Sequence, residues 1–134
     1  MKKVIGVFLV VLTLTACQSE DKQMELLGDV SLIEVSESRG YGGLNENHFT
    51  VLDQKETVSR FEKITEETVA VKQDIDVNGT KPDYDLLVRY ENGETNGLQW
   101  KMDGESSRLT YAGHESEAYE LNAEETNQLL DMLE

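Results

Sequence analysis

Apolar residues recur along the chain at three spacings, and each spacing predicts a different kind of element. A continuous apolar run from Val4 to Thr13, interrupted by Gly6, follows the basic head Met1-Lys2-Lys3. Apolar-rich stretches at Val30–Val35 and His48–Leu52 suit strands, and between them Ser36–Asn47 holds Gly40, Gly42 and Gly43, which is loop chemistry. Val58, Phe61 and Ile64 then repeat at helical spacing. Just ahead, Asp53 stands three residues before Glu56, the arrangement of an N-cap and its capping-box acid. A helix is predicted from Gln54 to about Glu66.

The second half of the chain alternates. Val69, Val71, Ile75 and Val77 share one parity, with Gln73 the interruption, and predict a strand with one buried face. Gly79 and Pro82 mark a turn over Asn78–Asp83. Tyr84, Leu86, Val88 and Tyr90 alternate before Glu91-Asn92-Gly93, and Leu98, Trp100 and Met102 alternate after it. A three-residue loop with a left-handed Gly93 pairs Tyr90 with Glu94. Counting back, Leu86 then meets Leu98 and Tyr84 meets Trp100 on one face. A two-residue loop would put these sets on opposite faces, so the three-residue loop is predicted. Leu109 with Tyr111, and then Ala118–Leu121, extend the meander. Asn122, with Glu125 three residues on, caps a last helix whose stripe is Leu129, Met132 and Leu133. The reading is α+β, a mostly antiparallel sheet of about five to six strands with two helices packed on one face, in a single domain over residues 30–134.

The opening apolar run is too short to span a membrane as a mature helix and has the layout of a signal peptide over residues 1–16. It ends in Leu14-Thr15-Ala16-Cys17, which matches the lipobox of bacterial lipoproteins. That match implies a diacylglyceryl group on the Cys17 thiol, fatty acyl chains such as palmitate as the membrane anchor, and cleavage before Cys17. Cys17 is the one cysteine, so no internal disulfide forms and the domain must hold by its core alone. Residues 17–29 read as the lipidated cysteine and a polar tether reaching roughly 20 Å. The expected location is the extracytoplasmic face of the cell membrane. Removing Lys2 and Lys3 with the signal leaves 27 acidic and 10 basic side chains, a formal charge of −17. That balance excludes nucleic acid, which needs a basic footprint, and adsorption to anionic lipid through the protein surface.

Candidate chemistry is sparse. Asp74, Asp76, Asn78, Gly79 and Asp85 fall at positions 1, 3, 5, 6 and 12 of an EF-hand calcium loop. Three departures argue against it: Asp in place of Glu at position 12, Pro82 at position 9 and Lys81 at position 8. Side chains two apart on a strand are separated by about 6.6–6.8 Å, too far for calcium–oxygen bonds of about 2.3–2.6 Å to share one ion. The expectation is no calcium site and no other cofactor. His48 and His114 are the two histidines, and either could serve a small envelope hydrolase if a concave pocket placed it beside a serine or carboxylate. No nucleophile-elbow sequence frames a serine. Arg39 and Tyr41 sit in the Gly-rich loop, a possible binding loop.

The layout resembles the small lipoproteins of Gram-positive bacilli described as YhfM-like. The lipobox, the Ser38–Asn47 loop, Phe49-Thr50-Val51-Leu52-Asp53, Asp76-Val77-Asn78-Gly79 and Pro82-Asp83-Tyr84-Asp85-Leu86 carry it, with Tyr90-Glu91-Asn92-Gly93-Glu94 and the Trp100 strand. It covers roughly residues 30 to 133. The resemblance implies location and fold and brings no catalytic residue. The function expected is a non-catalytic binding or regulatory module of the cell envelope, with membrane lipid at Cys17 and an envelope protein, peptide or ligand as partners. Cys17→Ser should abolish incorporation of labelled fatty acid and partition with membranes; unchanged labelling would remove the lipidation reading.

Overall fold

The computed structural model describes residues 23–134. The signal peptide and Cys17 read from the sequence lie outside them. The element order is β1 (Val30–Glu37), β2 (His48–Leu52), α1 (Lys55–Glu66), β3 (Val69–Lys72), β4 (Tyr84–Tyr90), β5 (Thr95–Asp103), β6 (Ser106–Tyr111), β7 (Glu117–Leu121) and α2 (Ala123–Asp131). The strands form one antiparallel sheet of seven, in the order β2-β1-β4-β5-β6-β7-β3. The α+β class therefore stands, and the expected five to six strands become seven because the short segments β2 and β3 both join as the sheet's edges.

The two edges are consecutive strands, so α1 carries the chain from one side of the sheet to the other. A flat seven-stranded sheet measures roughly 29 Å between its edge strands. A 12-residue helix supplies about 18 Å of that, and the two-residue links on either side supply the rest. The crossing lays Val58, Phe61 and Ile64 over the sheet, where they meet Ile33, Val35, Leu86, Leu98, Trp100 and Leu109 in one buried cluster. From α2, Leu129 joins the same cluster, so both helices cover the same face.

The turn at Glu91–Gly93 forms as the alternation requires. Gly93 has φ +88°, its N–H donates to the Tyr90 carbonyl, and the Tyr90 N–H donates to the Glu94 carbonyl. Leu86 then pairs with Leu98 and Tyr84 with Trp100. Asn122 and Glu125 form the reciprocal capping box of α2, with bonds of 2.8 and 3.1 Å. The cap of α1 differs from the reading: Gln54, not Asp53, occupies the N-cap, and no side chain bonds there.

Two segments depart from their patterns. The strand expected through Val77 ends at Lys72, and Val69 and Val77 are exposed. The ladder ends where its partner β7 does, at Lys72 opposite Glu117, and farther on the Asp76 carbonyl takes the Gly79 and Thr80 N–H groups and its carboxylate the Asn78 N–H, closing a turn. The last residues of the expected tether are docked. Met24 is buried and its N–H donates to Thr68 Oγ1, while the Tyr111 hydroxyl donates to the Glu25 carbonyl and Asn92 Nδ2 to that of Leu27.

Trp100 is fully buried and stacks at 5.4 Å on Tyr84, and its indole N–H finds no partner among the described residues. Trp100→Ala should destabilise the domain by about 3–5 kcal/mol in urea unfolding. Trp100→Phe should cost clearly less, since it keeps a ring while deleting an unpaired donor. Equal losses for the two would contradict a packed ring at this position.

Candidate functional site

The face of the sheet away from the helices carries a polar row. His48, Ser36, Asp85, Gln99 and Thr110 are register partners on the successive strands β2, β1, β4, β5 and β6. Ser36, Asp85, Gln99 and Thr110 are each at most 3% exposed. Burial of four polar side chains on an outer sheet face needs a cover, and the cover is the Gly-rich loop, residues 38–47. Gln99 Nε2 donates to the Gly40 carbonyl at 2.9 Å, the Asn45 N–H to Asp85 Oδ2 at 2.8 Å, and the Ser36 hydroxyl to the Asn45 carbonyl at 2.7 Å. Leu44 lies on Gly97 so closely that a Cβ there would come within 2.8 Å of Leu44 Cδ1. The loop is therefore a strap, held by the polar row beneath it and seated at a glycine that leaves room for it.

The strap leaves a cleft on each side. The first, about 190 Å³, is lined by Tyr41, Asp74, Ile75, Asp76, Lys101 and Arg108 among others. Burial, then the negative charges of Glu115 and Asp83, raises the Tyr41 phenol above its ordinary 10.0. The second, about 240 Å³, is lined by Glu34, Ser36, Leu44, Glu46, His48, Asp85 and Arg89, with Leu87 and Asn45 completing it. Here Arg89 Nε donates to Glu34 Oε1 at 3.2 Å, and His48 Nδ1 stands 4.0 Å from Glu34 Oε2.

The structure redistributes the residues singled out in the sequence. Asp74 and Asp76 share the first cleft with Tyr41, but Asp85, the twelfth position of the calcium pattern, lies on β4 in the second. Asp74 and Asp76 stand in the loop after β3, not on the open face of a longer strand, and Asn78 is exposed in the Asp76 turn. Among the described residues, no three His, Cys, Asp or Glu side chains are grouped as a metal would require. Of the candidate loop pair, Tyr41 lines a cleft, whereas Arg39 is exposed and lines neither. His48 does lie in a concavity beside Ser36 and carboxylates; His114 is exposed in the β6–β7 turn. Ser36, Gln99 and Thr110 belong to no motif in the sequence. The register of the Glu91–Gly93 turn could have found Gln99, since the count that aligns Leu86 with Leu98 also sets Asp85 opposite Gln99.

A profile of the YhfM protein family matches residues 42–134. The chain belongs to the YhfM family. No curated protein matches the sequence. Among solved structures, a thioesterase-like protein from Clostridium sporogenes has a similar fold, with a TM-score of 0.63 and 20% identity over 81% of this chain and 97% of that one.

Tyr41 gives the strap an alkaline dependence. Its folded-state value is raised, so the stability it contributes is complete below about pH 10 and is lost as pH climbs through that folded value, where a charged phenolate would need water. Limited proteolysis of the 38–47 strap should therefore speed up from about pH 9 to about pH 11 more in the native chain than in Tyr41→Phe. Identical rates in the two would show that Tyr41 does not seat the strap.

Proposed function

We propose that this YhfM-family chain is a lipid-anchored, non-catalytic binding module on the extracytoplasmic face of the cell membrane. The lipobox at Cys17 supports the anchor, and the strapped face supports the binding role. The observation that carries the reading is the pair of clefts flanking a glycine-rich strap: concave, mixed in polarity, and built on a rigid sheet by a loop. Met24, Glu25 and Leu27 are docked against the domain within ten residues of Cys17, which favours a partner close to the membrane.

One observation favours a second reading, a small envelope hydrolase. His48 lies in the second cleft near Glu34 and Ser36, and the solved neighbour is described as thioesterase-like. Against it, Ser36 is 3% exposed and its hydroxyl already donates to the Asn45 carbonyl, which leaves it poorly placed as a nucleophile. Two measurements on the purified full chain separate the readings. Capture from envelope extract should succeed with the native chain and fail for a variant with Tyr41→Ala and Leu44→Asp, while acyl-thioester substrates should not turn over. Turnover abolished by His48→Ala would replace the binding reading with the hydrolase.

A further inference from the structure

We propose that the second cleft, between the strap and β1, binds the primary ammonium group of an amine ligand, with Asp85 as its anchor. This deepens the binding-module reading and rests on it.

Asp85 is 1% exposed, and its carboxylate is only half used. Oδ2 accepts the Asn45 N–H at 2.8 Å, whereas Oδ1 is buried with no donor among the described residues. Gln99, its cross-strand partner, likewise leaves Oε1 buried and unpaired. A buried acceptor without a donor is costly, and a carboxylate oxygen more so, unless something fills the vacancy. Asp85 lines a cleft of about 240 Å³, so the missing donor can arrive from outside.

The charge around it selects a cation. Three carboxylates, Glu34, Glu46 and Asp85, line the cleft with one guanidinium, Arg89. Arg89 is held by Glu34 through bonds of 3.2 and 3.5 Å, which neutralises that pair and leaves Asp85 and Glu46 uncompensated. The number of free acceptors selects the kind of cation. A guanidinium is best matched by both oxygens of a carboxylate, and Asp85 has one free. An ammonium is a compact donor of three hydrogens that needs one strong acceptor and can share the others with neighbours such as Glu46. Leu44 and Leu87 on the walls suit a short aliphatic stem behind it. The net negative charge of the whole chain adds long-range attraction but no selectivity among cations.

The test uses the full chain in detergent at fixed moderate ionic strength, with n-butylammonium, tetramethylammonium, N-acetyl-lysine methylamide and calcium chloride as probes. Binding is followed through the backbone amide resonances of Asn45 and Asp85. The proposal expects saturable shifts with n-butylammonium. It expects at least about tenfold weaker binding of tetramethylammonium, which has the charge but no N–H. Asp85→Asn should weaken the primary amine by about tenfold or more, and the exposed Glu46→Gln, which leaves the core untouched, by about two- to threefold. Saturation by the lysine derivative as well would assign the natural source to a lysine side chain, and saturation by the simple amine alone to a free small amine. Equal response to both ammonium ions, a saturable shift with calcium alone, or binding indifferent to both substitutions would overturn the proposal. If the amine fails while envelope capture persists, the ligand assignment falls and the binding module stands; if both fail, both readings fall.

Discussion

The register of one hairpin governs both faces of this sheet. With Tyr90 opposite Glu94, every second residue of β4 and β5 is directed to the helices, and the residues between them are directed to the strap. With β4 held in place, a slip of one residue in β5 would bring Gln99 into the apolar layer and expose Trp100. Burial of Trp100 beneath the helices and of Gln99 beneath the strap are therefore two consequences of the same alignment, and that alignment rests on a glycine able to adopt φ +88° at position 93.

The two covers are built on different physics. On one face, Phe61, Ile64 and Leu129 exclude water by apolar area, and the edge-to-edge course of α1 spreads that area across the sheet. On the other, a loop of glycines and small polar residues has little apolar area to offer. It is held by hydrogen bonds directed at a row of buried side chains and by the contact of Leu44 on Gly97. A polar cover is selective in a way that an apolar one is not. Each buried acceptor must be met by a donor, and at Asp85 and Gln99 the strap meets only part of the demand. The two unfilled acceptors of the sheet itself, Asp85 Oδ1 and Gln99 Oε1, lie on the strapped side.

Membership of the YhfM family and a fold shared with a thioesterase-like protein are compatible with this division. A sheet with one helical cover is a scaffold, and what it does depends on what the opposite face carries. Here that face presents His48 near Glu34 with a serine whose proton is already committed, and a cleft-lining carboxylate with one buried, unpaired oxygen.

The sequence by itself determined what depends on neighbours in the chain: the capping box at Asn122, the Gly93 turn, the alternation of β4 and β5, and with them the fold class and the buried face holding Leu86 and Trp100. Tertiary structure decided what depends on distant partners. Val69–Val77 alternates as a strand should, yet its ladder lasts only as long as β7 accompanies it, and the Asp76 turn takes over beyond Lys72. Asp85 fitted a calcium spacing with Asp74 and Asp76, but sheet pairing placed it beside Ser36 and Gln99, because a ladder fixes position through strands far apart in sequence while a motif counts only along the chain. The clefts followed the same rule. Ser36, Asp85, Gln99 and Thr110 are unremarkable polar residues in the sequence, and they come together only when a loop with no regular pattern settles across four strands and buries them.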